Sequence, residues 1–456
     1  MASIRSNRST IRGFMMISDA LTVNIAVFVA FLIRFLGFPP AYNWRAYLGV
    51  APWLSVGAII LLGAYDLYEL EWIPVRDLRQ KIVPMVALLA GLLVLLSFLL
   101  GDIGFPRSVF VISSLLELPL LYQSRRWWQQ ALFGGQSTHI VLVSAGEATV
   151  IPKGLVDLGP HPSIKVVDGA RYQPGMAADI FLLDPALSDA VKLAVLNDAL
   201  SRRIRCLWRP NVYDTLIAQS ELTVVGGTPF LAMEPLPNPW LHRLLKRALD
   251  VVFAAGLLVL SLPLDLVIAA AILLDDGAPV LFRQERVSEG NRRFEMLKFR
   301  TLVKDYELRH GAGLTLPNAD GVTRVGRGLR VSHLDEIPQL WNVLKGDMSL
   351  VGPRPERPLF VDQFAAEIPP YNLRHQLKPG ITGLAQLSGH YLSSPQEKLQ
   401  MDLTYGRRSS LWVDLKILLQ TVSHLWKAKK TAGEGSVGDA SANDHRSRSH
   451  SSRGSA

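Results

Sequence analysis

Four apolar segments, residues 14–38, 47–68, 82–100 and 109–122, crowd into the first part of a 456-residue chain. A helical bilayer crossing takes about 20 apolar residues, so this stretch predicts a membrane bundle of four helices. The fourth segment is the shortest and carries Glu117 and Pro119. Basic stretches punctuate the series. "MASIRSNRSTIR" leads the first segment, "VRDLRQK" parts the second from the third, and "SRRWW" follows the fourth, while "GFPPAYNWR" and "GDIGFPR" hold fewer cations. The positive-inside rule then predicts a cytosolic N-terminus and a cytosolic location for everything after the fourth segment. Asp19, Asn24 and Arg34 fall inside the first segment, where polar groups are expensive. They are expected near its ends or paired with neighbouring helices, ahead of a transport role. The first apolar run is long and no small-residue cleavage site follows it, so no cleavable signal peptide is expected.

Hydrophobic residues make up 49% of the chain, and the formal net charge is +9. The cations are spread among apolar segments and do not form one stripe. That favours cytosolic flanks and anionic headgroups over nucleic acid. Cys206 is the single cysteine, which excludes an intrachain disulfide and a Cys-rich zinc site and suits a reducing compartment.

From about residue 138 to 230 the texture changes. "HIVLVSAGEAT", "IKVVDG", "ADIFLLD" and "IRCLW" read as short strands, and "DAVKLAVLNDALSRR" has helical spacing between them. Strands alternating with helices predict a parallel, Rossmann-like sheet. The first strand leads into Ser144-Ala145-Gly146-Glu147-Ala148, not into G-x-G-x-x-G. A structural or regulatory module is therefore expected over a nucleotide site, and a sugar-nucleotide oxidoreductase loses its main support.

Residues 244–279 form a second kind of apolar stretch. Arg243, Lys246 and Arg247 precede it, and Arg283, Arg286, Arg292 and Arg293 follow. Cations on both flanks predict that both ends lie on one side of the membrane. Pro263 near the middle removes a backbone donor, and Asp265 beside it fits poorly at the centre of a spanning helix. A helix that enters, kinks at Pro263 and returns satisfies these facts. A plain fifth transmembrane helix is the competing reading.

Polar chemistry follows. In "FEMLKFRTL", Lys298 and Arg300 are two apart and share a strand face, which suits a diphosphate. Arg324, Arg327 and Arg330 are spaced as a helical stripe. Each cation alone reads as a solvated or lipid-facing residue. Together, close to the adjacent acids Asp335 and Glu336, they resemble a phosphate cradle. Adjacent carboxylates can hold a hard cation such as magnesium, and one of them could attack phosphorus. The bland alternative is an N-cap arrangement led by Ser332. "GDMSLVGPRP" adds Asp347 and Arg354, the latter held between Pro353 and Pro355. That suits a fixed guanidinium on a phosphate, or simple loop punctuation.

Taken in order, "KRALDVVFAAGLLVLSLPL", "GAPVLFRQERV", "FEMLKFRTL", "VGRGLRVSHLDEIPQLWNVLKGDMSLVGPRPE", "LKPGITGLAQLSG" and "DLTYGRRSSLWVDLKILLQT" resemble the bacterial sugar transferase family, the monotopic phosphoglycosyl transferases, over about residues 244–422. The added N-terminal regions resemble the large members that transfer galactose or glucose phosphate to undecaprenyl phosphate. The resemblance implies that a UDP-sugar gives its sugar-1-phosphate to undecaprenyl phosphate, releases UMP and starts a surface polysaccharide such as an exopolysaccharide or O-antigen. It implies Asp335 as the nucleophile on the β-phosphorus and Glu336 in metal binding or proton handling, with Mg2+ as cofactor held by Asp335 and Glu336. Lys298, Arg300, Arg330 and Arg354 would hold phosphates. The family's membrane hairpin breaks at Ser-Pro, where this chain has Ser261-Leu262-Pro263. The family favours Ser-Leu-Asp-Glu, where this chain has Ser332-His333-Leu334-Asp335-Glu336. Gly277-Ala278-Pro279 replaces a more usual Gly-Gly-Pro or Gly-Pro.

The resulting expectation is a four-helix transmembrane region over 1–135, a Rossmann-like α/β module over 136–235 and a mainly α-helical monotopic catalytic domain with a re-entrant helix over 240–426. A disordered Gly/Ser/His/Arg-rich tail takes 427–456. Residues 410–428 read as an amphipathic interfacial helix, with Trp412 and Trp426 as anchors and Arg407, Arg408 and Lys416 nearby. The expected setting is the cytosolic face of a bacterial inner membrane, with UDP-sugar, undecaprenyl phosphate and membrane lipid as partners, and a homodimer. A membrane scaffold or transporter that binds nucleotide sugars without turnover is the alternative. It leaves the Asp-Glu and Gly-Pro-Arg-Pro segments unexplained.

Overall fold

The computed structural model describes residues 8–70, 73, 75–99, 105–133, 138–146, 162–208, 210–218, 220–233, 236, 239–304, 306, 321–388 and 394–423. The expected disordered tail, Trp426 and the first seven residues of the basic N-terminus lie outside them. The chain divides into two compact units, residues 1–211 and 212–456.

The first unit opens with α1 (Arg8–Phe35), α2 (Ala41–Ala64), α3 (Val75–Leu99) and α4 (Arg107–Phe133). α1 packs on α2 and α4, and α3 packs on the same two, which closes a four-helix arrangement. Val23, Val27, Ala30 and Phe31 recur at helical spacing on one side of α1 and are fully buried, as are Leu54, Ala58 and Leu62 of α2. α1, α2 and α3 are long and apolar enough to cross a membrane. α4 is as long but carries Glu117, Arg125 and Arg126. Arg125 is fully buried in an ion pair with Asp19 of α1, and its guanidinium lies 5.2 Å over the Tyr68 ring. Asn24 donates to Ser55 Oγ at 2.8 Å and accepts from Tyr47 Oη at 2.7 Å. Arg34 sits exposed in the last turn of α1. The polar residues of the first segment are thus paired across helices or placed at its end, as expected.

The same unit carries a parallel sheet of β1 (Thr138–Ser144), β2 (Pro162–Asp168), β3 (Ile180–Leu183) and β4 (Arg205–Trp208), in the order β2-β1-β3-β4. Alternate residues face opposite sides. Val141, Val143, Phe181 and Leu183 pack beneath Val195 and Ala199 of α5 (Asp189–Ser201), which joins β3 to β4. Ile140, Leu142, Ile180 and Leu182 form the other face. Residues 147–161 of the β1–β2 connection lie outside the described residues.

The second unit begins at α6 (Val212–Ile217), whose Val212 and Leu216 pack against Val361, Tyr371 and Leu403. Next is a hairpin of β5 (Glu221–Val225) and β6 (Thr228–Ala232). Gly226 and Gly227 both have positive φ, the two-residue turn that matches strand twist. Then comes α7 (Trp240–Asp276), a single helix of 37 residues, long and apolar enough to cross a membrane. Pro263 lies inside this helix, which continues through it without a break. Asp250, Ala254, Ile268 and Ile272 are buried along one face, while Val259, Leu260, Leu262, Leu266 and Val267 are exposed.

Both ends of α7 are fastened to the same unit. Lys246 Nζ donates to Val351 O at 3.0 Å and pairs with Asp414 at 2.7 Å. Arg247 donates to the carbonyls of Val343 and Leu344 at 2.6 and 2.8 Å. At the far end Asp275 accepts from Val325 N at 3.0 Å and Asp276 from Lys304 N at 3.2 Å.

The remainder comprises the antiparallel pair β7 (Leu281–Val287) and β8 (Arg293–Phe299), then α8 (Arg324–Ser332), α9 (Gln339–Lys345), β9 (Ser349–Val351), α10 (Pro358–Glu367), β10 (Gly380–Thr382), α11 (Leu384–Ser388) and α12 (Pro395–Arg408). Phe294 and Met296 of β8 meet Val343, Met348 and Leu350 in the core. β9 and β10 pair in parallel. A Cβ on Gly352 would strike the Lys378 carbonyl, and one on Gly380 would strike the Gly352 amide. Glycine is required there by close backbone approach. α12 starts in a capping box of Ser394 and Glu397. Residues 411–423 are helical, with Asp414 and Ile417 buried and Trp412 exposed, the amphipathic pattern expected of that segment.

Candidate active site

β8 delivers Lys298 from the face that carries Phe294 and Met296. Asn342 of α9 holds the strand in place: its Oδ1 accepts from Leu297 N at 2.9 Å and its Nδ2 donates to Glu295 O at 2.7 Å. The two acids arrive from another direction. α8 ends at Ser332, and His333 takes a left-handed conformation at φ 56° that turns the chain into a short 3-10 segment, Leu334–Glu336. An N-cap led by Ser332 is therefore ruled out. The helix stops there, and the Ser332 hydroxyl bonds back to Gly328 O at 2.7 Å.

The adjacent acids have opposite surroundings. Glu336 Oε1 pairs with Lys298 Nζ and with Arg354 Nη2, both at 2.8 Å. Burial works against its charge, but Arg354 and Lys298 outweigh it and hold the carboxyl well below the usual range. Glu336 in turn raises the Arg354 guanidinium pKa. Asp335 is 8% exposed, and its carboxylate accepts no hydrogen bond among the described residues. Burial raises its pKa, Lys298 opposes the rise and the Glu336 charge adds to it. The result is one acid locked between two cations that favour its charge, and one acid with free oxygens beside it.

Arg330 donates through Nε to Thr301 Oγ1 at 2.9 Å and lies close enough to Asp335 to favour its charge. Arg300, expected beside Lys298 on a phosphate, is committed elsewhere. It lies beyond the end of β8, is 5% exposed, pairs with Asp276 at 3.2 Å, and donates to the carbonyls of Asp276 and Gly277 at 2.9 and 2.6 Å. Pro263 lies in α7 and contributes no group to this cluster. Asp347 pairs with Arg292 at 3.3 Å and Lys345 at 3.5 Å. Arg324 and Arg327 lie exposed on α8.

Among the described residues, no group of three or more His, Cys, Asp or Glu side chains converges as a metal cage. The free Asp335 oxygens and the Oε2 of Glu336, which takes no hydrogen bond among the described residues, do fit magnesium. That ion is commonly held by one or two carboxylates and completed by substrate phosphates and water.

Sequence reasoning missed Arg286, Asn342, Arg374 and His375. The first three hold backbone rather than substrate, and no local pattern marks such a role. Arg354, Arg374 and His375 border a shallow cleft together with Pro353, Pro355 and Glu356. His375 is buried, with Nδ1 2.5 Å from Asn291 Oδ1. Burial, and then the neighbouring Arg374, lower its pKa to about 4. The folded value lies below the unfolded one of about 6.5, so the neutral ring supports the fold above that pH and the support is lost as pH falls towards 4. Thermal midpoints should drop over that window in the wild type and fall less in His375→Gln. Parallel curves for the two proteins would remove His375 as the cause.

Comparison with known proteins places this geometry. Residues 241–428 match the family model described as bacterial sugar transferase. A UDP-glucose:undecaprenyl-phosphate glucose-1-phosphate transferase of Caulobacter vibrioides is 45% identical over 196 residues, which is 42% of this chain and 73% of that protein. A UDP-N-acetylgalactosamine-undecaprenyl-phosphate N-acetylgalactosaminephosphotransferase of Aeromonas hydrophila is 43% identical over 190 residues, 41% of this chain and 44% of the relative. A UDP-glucose:undecaprenyl-phosphate glucose-1-phosphate transferase of Escherichia coli is 39% identical over 218 residues, 47% of each chain. The matches to the last two relatives thus span less than half of their length, and the family match over residues 241–428 contains Lys298, the Asp335–Glu336 pair and Arg354. On the family model and the Caulobacter match together, the chain belongs to the bacterial sugar transferase family.

Proposed function

We propose that the protein transfers a sugar-1-phosphate from a UDP-sugar to undecaprenyl phosphate, giving undecaprenyl-diphosphate-sugar and UMP. The observation that carries this reading is the asymmetric acid pair: Asp335 with free oxygens, beside Glu336 bound by Lys298 and Arg354. An Asp335 oxygen attacks the β-phosphorus of the UDP-sugar. The new O–P bond forms as the bond to UMP breaks, and the electron pair leaves on the UMP phosphate. An oxygen of undecaprenyl phosphate then attacks the same phosphorus and returns the carboxylate. Lys298 and Arg354, fixed by Glu336, take the equatorial phosphate oxygens, and Arg330 supports the charge around Asp335. Magnesium, when bound, screens the diphosphate against the incoming carboxylate. Arg300 is given a positioning role at the end of α7.

The reading extends to the membrane. α7 is a re-entrant helix whose two ends stay on the cytosolic side; in the membrane it bends at Pro263, where a backbone donor is missing, without breaking. Support comes from the anchoring of both its ends to one unit, at Lys246–Asp250 and at Asp275–Asp276. The lipid phosphate and an aqueous nucleotide can then meet at the headgroup level. The parallel sheet serves as a Rossmann-like structural module on the cytosolic side. The exposed apolar residues Leu222, Val224, Phe230 and Leu231 of the β5–β6 hairpin support a homodimer, which light scattering of the purified protein would test.

The deciding assay is UMP release by detergent-solubilised protein with magnesium, undecaprenyl phosphate and, separately, UDP-glucose, UDP-galactose and their N-acetyl forms. Lipid-dependent UMP from one sugar is expected. Nucleotide-sugar binding without turnover would replace the reading with a scaffold or transporter. Topology has its own check: reporters at residue 240 and at the C-terminus should both face the cytosol, and a C-terminal reporter accessible only from outside would make α7 a spanning helix.

A further inference from the structure

We propose that Arg374 and Arg286 are positioning residues that set the reach of Arg354 by capturing the carbonyls of its loop. Pro353 and Pro355 lack an N–H, so Arg354 holds the only amide donor of this tripeptide and the loop must be fixed through its acceptors. Four successive carbonyls are taken by donors from separate places. Pro353 O accepts from Gly380 N at 2.9 Å. Arg354 O accepts from Arg374 Nη2 at 2.9 Å, and Pro355 O from Arg286 Nη1 at 2.9 Å. Glu356 O accepts from Val287 N at 3.1 Å. Two of the four donors are guanidinium groups aimed at backbone.

Arg374 is itself held rigidly. Its side chain is 3% exposed, pairs with Asp402 at 2.8 Å, and donates through Nη1 to Tyr371 Oη at 2.6 Å. Nη2 faces both the Asp402 carboxylate and the Arg354 carbonyl while Nη1 reaches Tyr371, a spread that a lysine ammonium matches poorly. Arg286 is steadied by Gln284 Oε1 at 2.5 Å and by Glu356 at 3.8 Å. Arg354, in contrast, is 46% exposed, and among the described residues its guanidinium is held by Glu336 Oε1 alone. A loop free to shift by an ångström would lose that contact and the phosphate geometry with it.

The inference rests on the transferase reading for its kinetic test and stands apart from it for its structural one. Arg374→Lys keeps the charge opposite Asp402 and loses the two-nitrogen reach to the Arg354 carbonyl and Tyr371. Arg286→Gln, at a less buried position, removes the second arm. Each is expected to lower the rate of UMP release about ten- to a hundredfold, the cost of a misplaced group, with a small change in thermal midpoint. In an Arg354→Ala background the same substitutions should cost almost nothing further, because residues that act through one group do not add. Equal fold losses in both backgrounds would overturn the proposal, since a merely structural arginine lowers activity whatever occupies position 354. Hydrogen exchange at the Arg354 and Glu356 amides, measured without substrate, should speed up in both variants. Unchanged exchange also overturns it. Faster exchange together with no UMP from the wild type and any UDP-sugar would leave the clamp standing and reject the transferase reading.

Discussion

Asp335→Asn should keep its fold and lose sugar-phosphate transfer by at least about a thousandfold, the scale seen when a nucleophile is removed. The shape of the side chain is preserved, and no hydrogen bond to Asp335 among the described residues is broken. The stability sign is also favourable. Burial raises the Asp335 pKa in the folded protein, so its ionisation opposes the fold increasingly as pH rises above the ordinary carboxylate value, and asparagine removes that opposition. The variant should therefore melt at or above the wild-type temperature near neutral pH. UMP release per folded molecule is the measurement, and near-normal turnover would end the nucleophile role. Glu336→Gln should behave in the opposite way on stability. Its folded pKa is depressed, so the wild-type carboxylate contributes above the unfolded pKa, and its loss leaves Lys298 and Arg354 facing each other without a partner.

The second large effect is expected in the helical bundle. Arg125→Ala should destabilise α1–α4 by roughly 3 to 5 kcal/mol, because it leaves Asp19 as a buried charge without its partner. Both side chains of the pair are fully buried. Replacing the two together, as Asp19→Leu with Arg125→Met, should recover most of the loss, since a buried ion pair is often no better than well-packed apolar groups. Thermal unfolding in detergent and protease resistance of the N-terminal region would report it. A single variant as stable as the wild type would show that Asp19 can be neutralised at no cost. The same pair lets α4 keep a fully buried guanidinium among apolar neighbours.

How much of this was legible depended on how far a contact reaches along the chain. The bundle was readable because helix length and apolarity are local properties, and the partners of Asp19 and Asn24 could at least be required, if not named. The parallel strands were readable from runs such as Ile140–Val143 and Phe181–Leu183. Asp335 and Glu336 were visible as neighbours, but their unequal surroundings were not: Lys298 is 38 residues from Glu336 and Arg354 is 18 away. Strand alternation put Lys298 and Arg300 on one face. It could not show that the strand ends at Phe299 and that the next guanidinium turns to α7. Arg374 lies 20 residues from the carbonyl it holds, and Arg286 lies 69 from its own. Ser332 misled because helix ends and helix starts favour similar short polar residues, and only the left-handed His333 tells them apart.

Arg300 joins a helix long and apolar enough to cross a membrane to the strand that serves the acid pair. One side of the joint is the last turn of α7, at Asp276 and Gly277, and the other is the end of the strand that carries Lys298. A helix held by acyl chains tilts or shifts when their length does not match its own, at a cost of fractions of a kcal/mol per ångström. Such a shift has a short mechanical route through one guanidinium to the cation that grips Glu336. Acyl-chain length would then act on this chain as a tension on its chemistry as well as a solvent for its helix.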